Sequence, residues 1–114
     1  MEESSFGAEP GSDEGLWLVR ARGEIDLESA PRLEAVLAEA IAAGPNRLIV
    51  DLESVEFLDS TGLRVLVEAQ QRLDQQGGTL LFEGISAAAR RTLEVTGLLQ
   101  TFSAEGEKSN PRSS

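Results

Sequence analysis

The 114-residue chain contains no cysteine and no histidine, and its one lysine is Lys108. Without cysteine there is no disulfide and no thiolate chemistry. Without histidine the commonest general base and metal ligand is missing. Positive charge is scarce too: ten Lys and Arg face twenty Asp and Glu, a net charge of −10. That balance argues against nucleic acid, whose phosphates require Lys and Arg to displace counterions. It also disfavours anionic lipid and suits basic or neutral partners. Apolar runs are only a few residues long, so no transmembrane helix and no membrane insertion are expected. The opening stretch MEESSFGAEPGSDEG lacks the basic and apolar regions of a secretory signal. These absences together lead to the expectation of a cytoplasmic protein.

What is present fits one domain. A hydrophobic fraction of 40% supports one core, burying about two thirds of the unfolded surface. Residues 1–15 mix Glu, Ser, Gly and Pro with one aromatic residue, a composition expected to leave a flexible acidic tail. The stretch AEGEKSNPRSS, residues 104–114, is expected to be a second tail, with the domain spanning 16–103.

Between the tails, strand and helix patterns alternate. In LWLVRARGEIDL, Trp17, Val19 and Ala21 share one face and Leu16 and Leu18 the other, which predicts a strand pair with Gly23 as its turn or bulge. Leu33, Val36, Leu37, Ala40 and Ile41 trace one helix face. Ser29 or a neighbour is the candidate cap, Pro31 suits the first turn, and Gly44-Pro45 ends the helix. RLIVDL reads as a buried strand. Leu63, Leu66, Val67, Gln70 and Leu73 mark a second helix with Arg64–Glu68 and Glu68–Arg72 pairs outside, stopped by Gly77-Gly78. TLLFEG predicts a strand and SAAARRTLEVTGL a third helix, with Ser86 as cap and Gly97 as stop; LLQTF is a short extended piece that can edge the sheet. The order β-β-α-β-α-β-α predicts an α/β fold, a small mixed sheet covered by helices.

The stretch VEFLDSTGL places three small polar residues, Asp59, Ser60 and Thr61, and then Gly62 at the mouth of the second helix. A nucleophilic serine needs a base within hydrogen-bond reach. With no histidine, and with Lys108 in the tail, a hydrolase is poorly supported. Glu24, Asp26, Asp51 and Asp59 lie near strand ends and could bind a divalent metal or act as acid and base. The simpler expectation is that Asp26 closes a strand and helps start the next helix, while Asp51 and Asp59 satisfy loop amides. DSTG lies outside the nucleotide-binding fingerprints. Two readings stay open: Asp59 or Ser60 is only the N-cap of the helix, or Ser60 is a substrate, where a phosphate would add roughly −1.5 to −2 charges, with free helix amides expected to hold it. Small residues at 60–62 would let a partner approach closely.

The stretches GEIDLESAPRLEAVL, LIVDLESVEFLDSTGLRVLVEAQQRL and the later TGL resemble the STAS domain family, specifically the bacterial anti-sigma factor antagonists. The resemblance runs from about Leu16 to Phe102, and FLDSTGL after a strand ending in Asp-Leu is its most specific part. It implies that Ser60 is the phosphorylation site, with Thr61 as the fallback acceptor. It implies a partner-binding surface of Asp26, Asp59, Ser60, Thr61, Gly62 and Arg64. The implied partners are an anti-sigma factor with serine kinase activity, which releases its sigma factor on binding the unphosphorylated antagonist, and a PP2C-type phosphatase. ATP and Mg²⁺ would belong to the kinase, so no cofactor is expected here, and the resemblance suggests a monomer that is not an enzyme. In some members a second small serine stands where this chain has Thr61. The alternative use of the same fold is a docking subunit of a transport or stress-sensing complex, without phospho-switching.

Overall fold

Burial that alternates residue by residue builds the sheet. The computed structural model describes residues 4–96. Strands β1 (Ser5–Pro10), β2 (Leu16–Ile25), β3 (Arg47–Leu58) and β4 (Thr79–Glu83) alternate with helices α1 (Ala30–Ala42), α2 (Ser60–Gln75) and α3 (Ala87–Thr96) after the first two strands. The sheet order is β1-β2-β3-β4, with β1 antiparallel to β2 and the other two pairs parallel. This is the predicted mixed α/β class and element order.

The first two strands are not the expected pair, however. β1 falls within residues 1–15, read from composition as a tail, and β2 runs unbroken through Gly23. In β1, Phe6 and Ala8 pack on the core while Ser5, Gly7 and Glu9 are exposed. The two-residue period is genuine, but Gly, Glu and Pro hide it in a composition average. Pro10 is tolerated because β1 is an edge strand. Arg32 of α1 secures the strand: its guanidinium donates to the Ser4 carbonyl at 3.0 Å and lies 5.4 Å from the centre of the Phe6 ring. Gly23, at φ +87, marks a bulge rather than a turn.

That irregularity shapes the site. From Arg20–Asp51 to Ile25–Leu58 the pairing takes five steps on β2 and seven on β3. The inward residues of β3 therefore fall at Val50, Leu52, Val55 and Leu58 instead of every second position. β3 consequently extends six residues beyond the predicted RLIVDL (47–52), to Leu58.

The helices cover the face of Val19, Val50 and Phe82, and Leu33, Leu37, Ile41, Leu66, Leu73 and Leu93 complete the core. On α2 the buried set is Gly62, Leu63, Val65, Leu66, Ala69 and Leu73, while Val67 and Gln70 are only half-buried. The predicted face missed Val65 and Ala69 because α2 packs on α1 as well as on the sheet; Val65 and Ala69 share a cleft with Leu37. No ion pair within 4.0 Å joins Arg64, Glu68 and Arg72. The Ser86 hydroxyl caps α3, accepting from the Ala89 amide at 3.1 Å. Gly97, LLQTF and the 104–114 stretch lie outside the described residues.

Candidate functional site

The parallel strands β2 and β3 end side by side, where the Asp59 amide donates to the Ile25 carbonyl at 3.1 Å. Loops following the carboxyl ends of parallel strands are where α/β proteins gather their sites. Here the two loops are 26–29 and the Asp59 junction.

The first loop is held from within. Asp26 Oδ1 accepts from the Glu28 amide at 3.1 Å and the Ser29 amide at 3.0 Å. Ser29 is buried; its hydroxyl donates to the Glu24 carbonyl at 2.7 Å and accepts from the Asp26 amide at 3.0 Å. Ser29 thus occupies the cap position of α1, as expected, but its side chain makes no capping bond and stitches the loop instead. The Ser29 amide, foremost, with the Ser29 hydroxyl and Glu28 amide, holds the Asp26 carboxyl below its ordinary value against a smaller opposing desolvation. The tight loop turns Leu27 outward, 75% exposed.

The second loop is a single residue. Asp59 is the N-cap of α2 in extended backbone, and its Oδ1 accepts from the Thr61 amide at 2.9 Å and the Gly62 amide at 3.1 Å. The Leu63 amide reaches the Asp59 carbonyl at 2.9 Å. The amides expected to cradle a phosphate on Ser60 are therefore already taken by Asp59. Ser60 itself is exposed, and its hydroxyl makes no hydrogen bond among the described residues.

The remaining site residues divide by direction. Thr61 and Arg64 line an open groove with Leu27 between α1 and α2. Gly62 faces the core: a Cβ there would collide with Ile25 Cγ2 and sit 2.8 Å from Leu58 Cδ1. Its role within the chain is close packing of the helix mouth. Asp51 lies further back, accepting from the Glu53 amide at 2.9 Å. Asp26, Asp51 and Asp59 each satisfy loop amides. No three Asp or Glu of the described residues gather in metal-binding geometry. Leu27 and the 49%-exposed Phe57 were not singled out from the sequence. Leu27 has the parity of inward-facing Ile25, and only the loop's hydrogen bonds reverse it.

The fold and its exposed serine define an α/β domain with a small polar corner at a helix mouth. The chain belongs to the STAS domain family, whose profile matches residues 11–109, and curated relatives 34% identical to it are named anti-sigma factor antagonists. It is 34% identical over 90 residues to the anti-sigma-F factor antagonist RsfB of Mycobacterium tuberculosis, covering 77% of this chain and 71% of RsfB. It is 34% identical over 94 residues to the anti-sigma-B factor antagonist of Staphylococcus aureus, covering 82% and 87% of the two chains. A crystal structure of an anti-sigma factor antagonist from Mycobacterium paratuberculosis superposes with a TM-score of 0.71 at 35% identity, covering 86% of this chain and 83% of that one. Among the described residues, no helix is long and apolar enough to cross a membrane.

Proposed function

We propose that this protein is an anti-sigma factor antagonist switched by phosphorylation of Ser60. Its unphosphorylated form binds an anti-sigma factor that is also a serine kinase, and a sigma factor is freed. The observation carrying this reading is the division of labour at the helix mouth: Asp59 does the capping, and the Ser60 hydroxyl is left exposed and unengaged.

The chemistry places the catalytic burden on the partner. Ser60 Oγ attacks the γ-phosphorus of ATP, ADP leaves, and a base of the kinase takes the hydroxyl proton. ATP and Mg²⁺ are held by the kinase, so this chain needs no cofactor and acts as substrate, not enzyme. The phosphoseryl group adds roughly −1.5 to −2 charges. Because Asp59 holds the Thr61 and Gly62 amides, fewer donors at the helix terminus are left to cradle the new charge, which faces the partner. Binding is lost by repulsion and by the cost of burying an unpaired charge. A PP2C-type phosphatase hydrolyses the ester and restores the hydroxyl. The reading places the protein in the cytoplasm as a monomer between binding events.

The test is site-resolved mass spectrometry after incubation with source-cell lysate, ATP and Mg²⁺, with Ser60→Ala alongside. Phosphate on Ser60 and none on the variant is the expected result. Phosphate on Thr61 alone moves the acceptor by one residue. An unmodified chain, with a kinase of this class shown active in the same lysate, overturns the switch and leaves the docking-subunit use of the fold.

A further inference from the structure

The most exposed large apolar side chain among the described residues, Leu27, is not isolated. It stands at one end of an open groove of about 270 Å³. Leu27, Ala30 and Glu34 form one wall, and Thr61, Val65 and Glu68 the other. Ala30 and Val65 are buried and make an apolar floor, while Glu34 and Glu68 are exposed. The α2 wall repeats at helical spacing from Thr61 to Glu68, about 10 Å at 1.5 Å per residue. Among the described residues, Arg64 is the one cation of the lining. Glu28, Glu34 and Glu68 form no ion pair among the described residues.

Such a groove is apolar at the end near Ser60, acidic at the other, and two turns long. That is the complement of an amphipathic helix with basic flanks. We infer that the groove seats a helix of the anti-sigma factor, with an apolar side chain packed on Leu27 over Ala30 and Val65 and basic side chains meeting Glu34 and Glu68. This inference rests on the switch reading above. Asp26 is then a positioning residue: its Oδ1 accepts from the Glu28 and Ser29 amides, and it acts by holding Leu27 outward. The release step follows from the same layout. A phosphoryl group on Ser60, next to Thr61, stands at the apolar end of the groove. There its charge and bulk would have to be accommodated against the apolar side chain of the docked helix.

The experiment uses the anti-sigma factors of the source organism, purified one by one, and calorimetric binding to the unmodified full chain. Leu27→Asp is expected to weaken the binding member at least about thirtyfold, as for an interface anchor, with an unchanged melting temperature because Leu27 packs little. Glu68→Lys is expected to weaken it further and to flatten its salt dependence. Asp26→Ala is expected to weaken binding in the parent chain, to be rescued by Asp26→Asn, which keeps the acceptor, and to add nothing in a Leu27→Ala background. Binding untouched by Leu27→Asp overturns the groove while leaving the function standing. Equal losses from Asp26→Ala in both backgrounds mean that Asp26 touches the partner itself, which overturns its positioning role. If no anti-sigma factor binds the unmodified chain, the function and the groove fall together.

Discussion

At the scale of single residues, the helix mouth separates three jobs that its sequence runs together. Asp59 caps, Ser60 is presented and Gly62 packs. Asp59→Ala removes the acceptor for two amides and is expected to cost about 1 kcal/mol in urea unfolding. Gly62→Ala forces a methyl group against Ile25 and Leu58 and is expected to cost about 1–3 kcal/mol. Ser60→Ala should fall within about 0.5 kcal/mol of the parent, because the hydroxyl holds nothing. Binding should turn on the charge at Ser60 instead: Ser60→Ala is expected to keep the anti-sigma factor and Ser60→Asp to lose it. Equal affinity in both variants would contradict the switch. The identity of this corner was legible in DSTG, since a small polar run before an amphipathic helix announces a cap and an accessible hydroxyl. Which residue does which job was not, because Asp59 and Ser60 are both good caps and only backbone geometry chooses between them.

At the scale of elements, the loop 26–29 and the strand β1 carry the structure's two departures from pattern. The Asp26 carboxyl sits below its ordinary value of 3.8, so its charged form is favoured in the folded chain. A depressed acid stabilises above its unfolded pKa, and that contribution is lost as pH falls through the lower folded value. The melting temperature of the parent should therefore exceed that of Asp26→Asn at neutral pH, and the gap should shrink below about pH 3.8 and then close. A constant gap across that range would show that the carboxylate's charge is irrelevant to the loop. For β1, hydrogen exchange decides: amides paired with β2 between Phe6 and Ala8 should exchange far more slowly than an unstructured chain. The helices, β4 and the first half of β3 were legible because their apolar patterns are unbroken, whereas β2 was read as a pair divided near Gly23. β1 was not, since a half-buried six-residue edge strand offers only Phe6 and Ala8 as signal. The second half of β3 was obscured by the same bulges that bring Leu58 and Asp59 beside Ile25.

At the scale of the whole molecule, the net charge of −10 sets how a partner arrives. Among the described residues, the charged side chains flanking Leu27 and Ser60 are mostly acidic, and the nearest strand-face pairs, Glu9–Arg20 at 3.0 Å and Arg20–Asp51 at 4.0 Å, consume a single arginine on the far side of the sheet. Exposed pairs of that kind add little stability. The excess charge therefore acts at long range, speeding encounter with a basic surface. The Debye length shrinks from about 10 Å at 0.1 M salt to about 3 Å at 1 M, so steering should fade across that range while the apolar contact on Leu27 persists. For the unphosphorylated chain and its anti-sigma factor, stopped-flow association is expected to slow at least about tenfold over that interval, with dissociation nearly unchanged. Ser60→Asp should act the other way, raising the dissociation rate and leaving the salt slope of association close to the parent's, since one charge added to ten alters the far field little but sits directly under the docked helix. An association rate indifferent to salt would mean that the partner is recognised by shape and apolar contact alone, and that the acidic surface serves solubility rather than encounter.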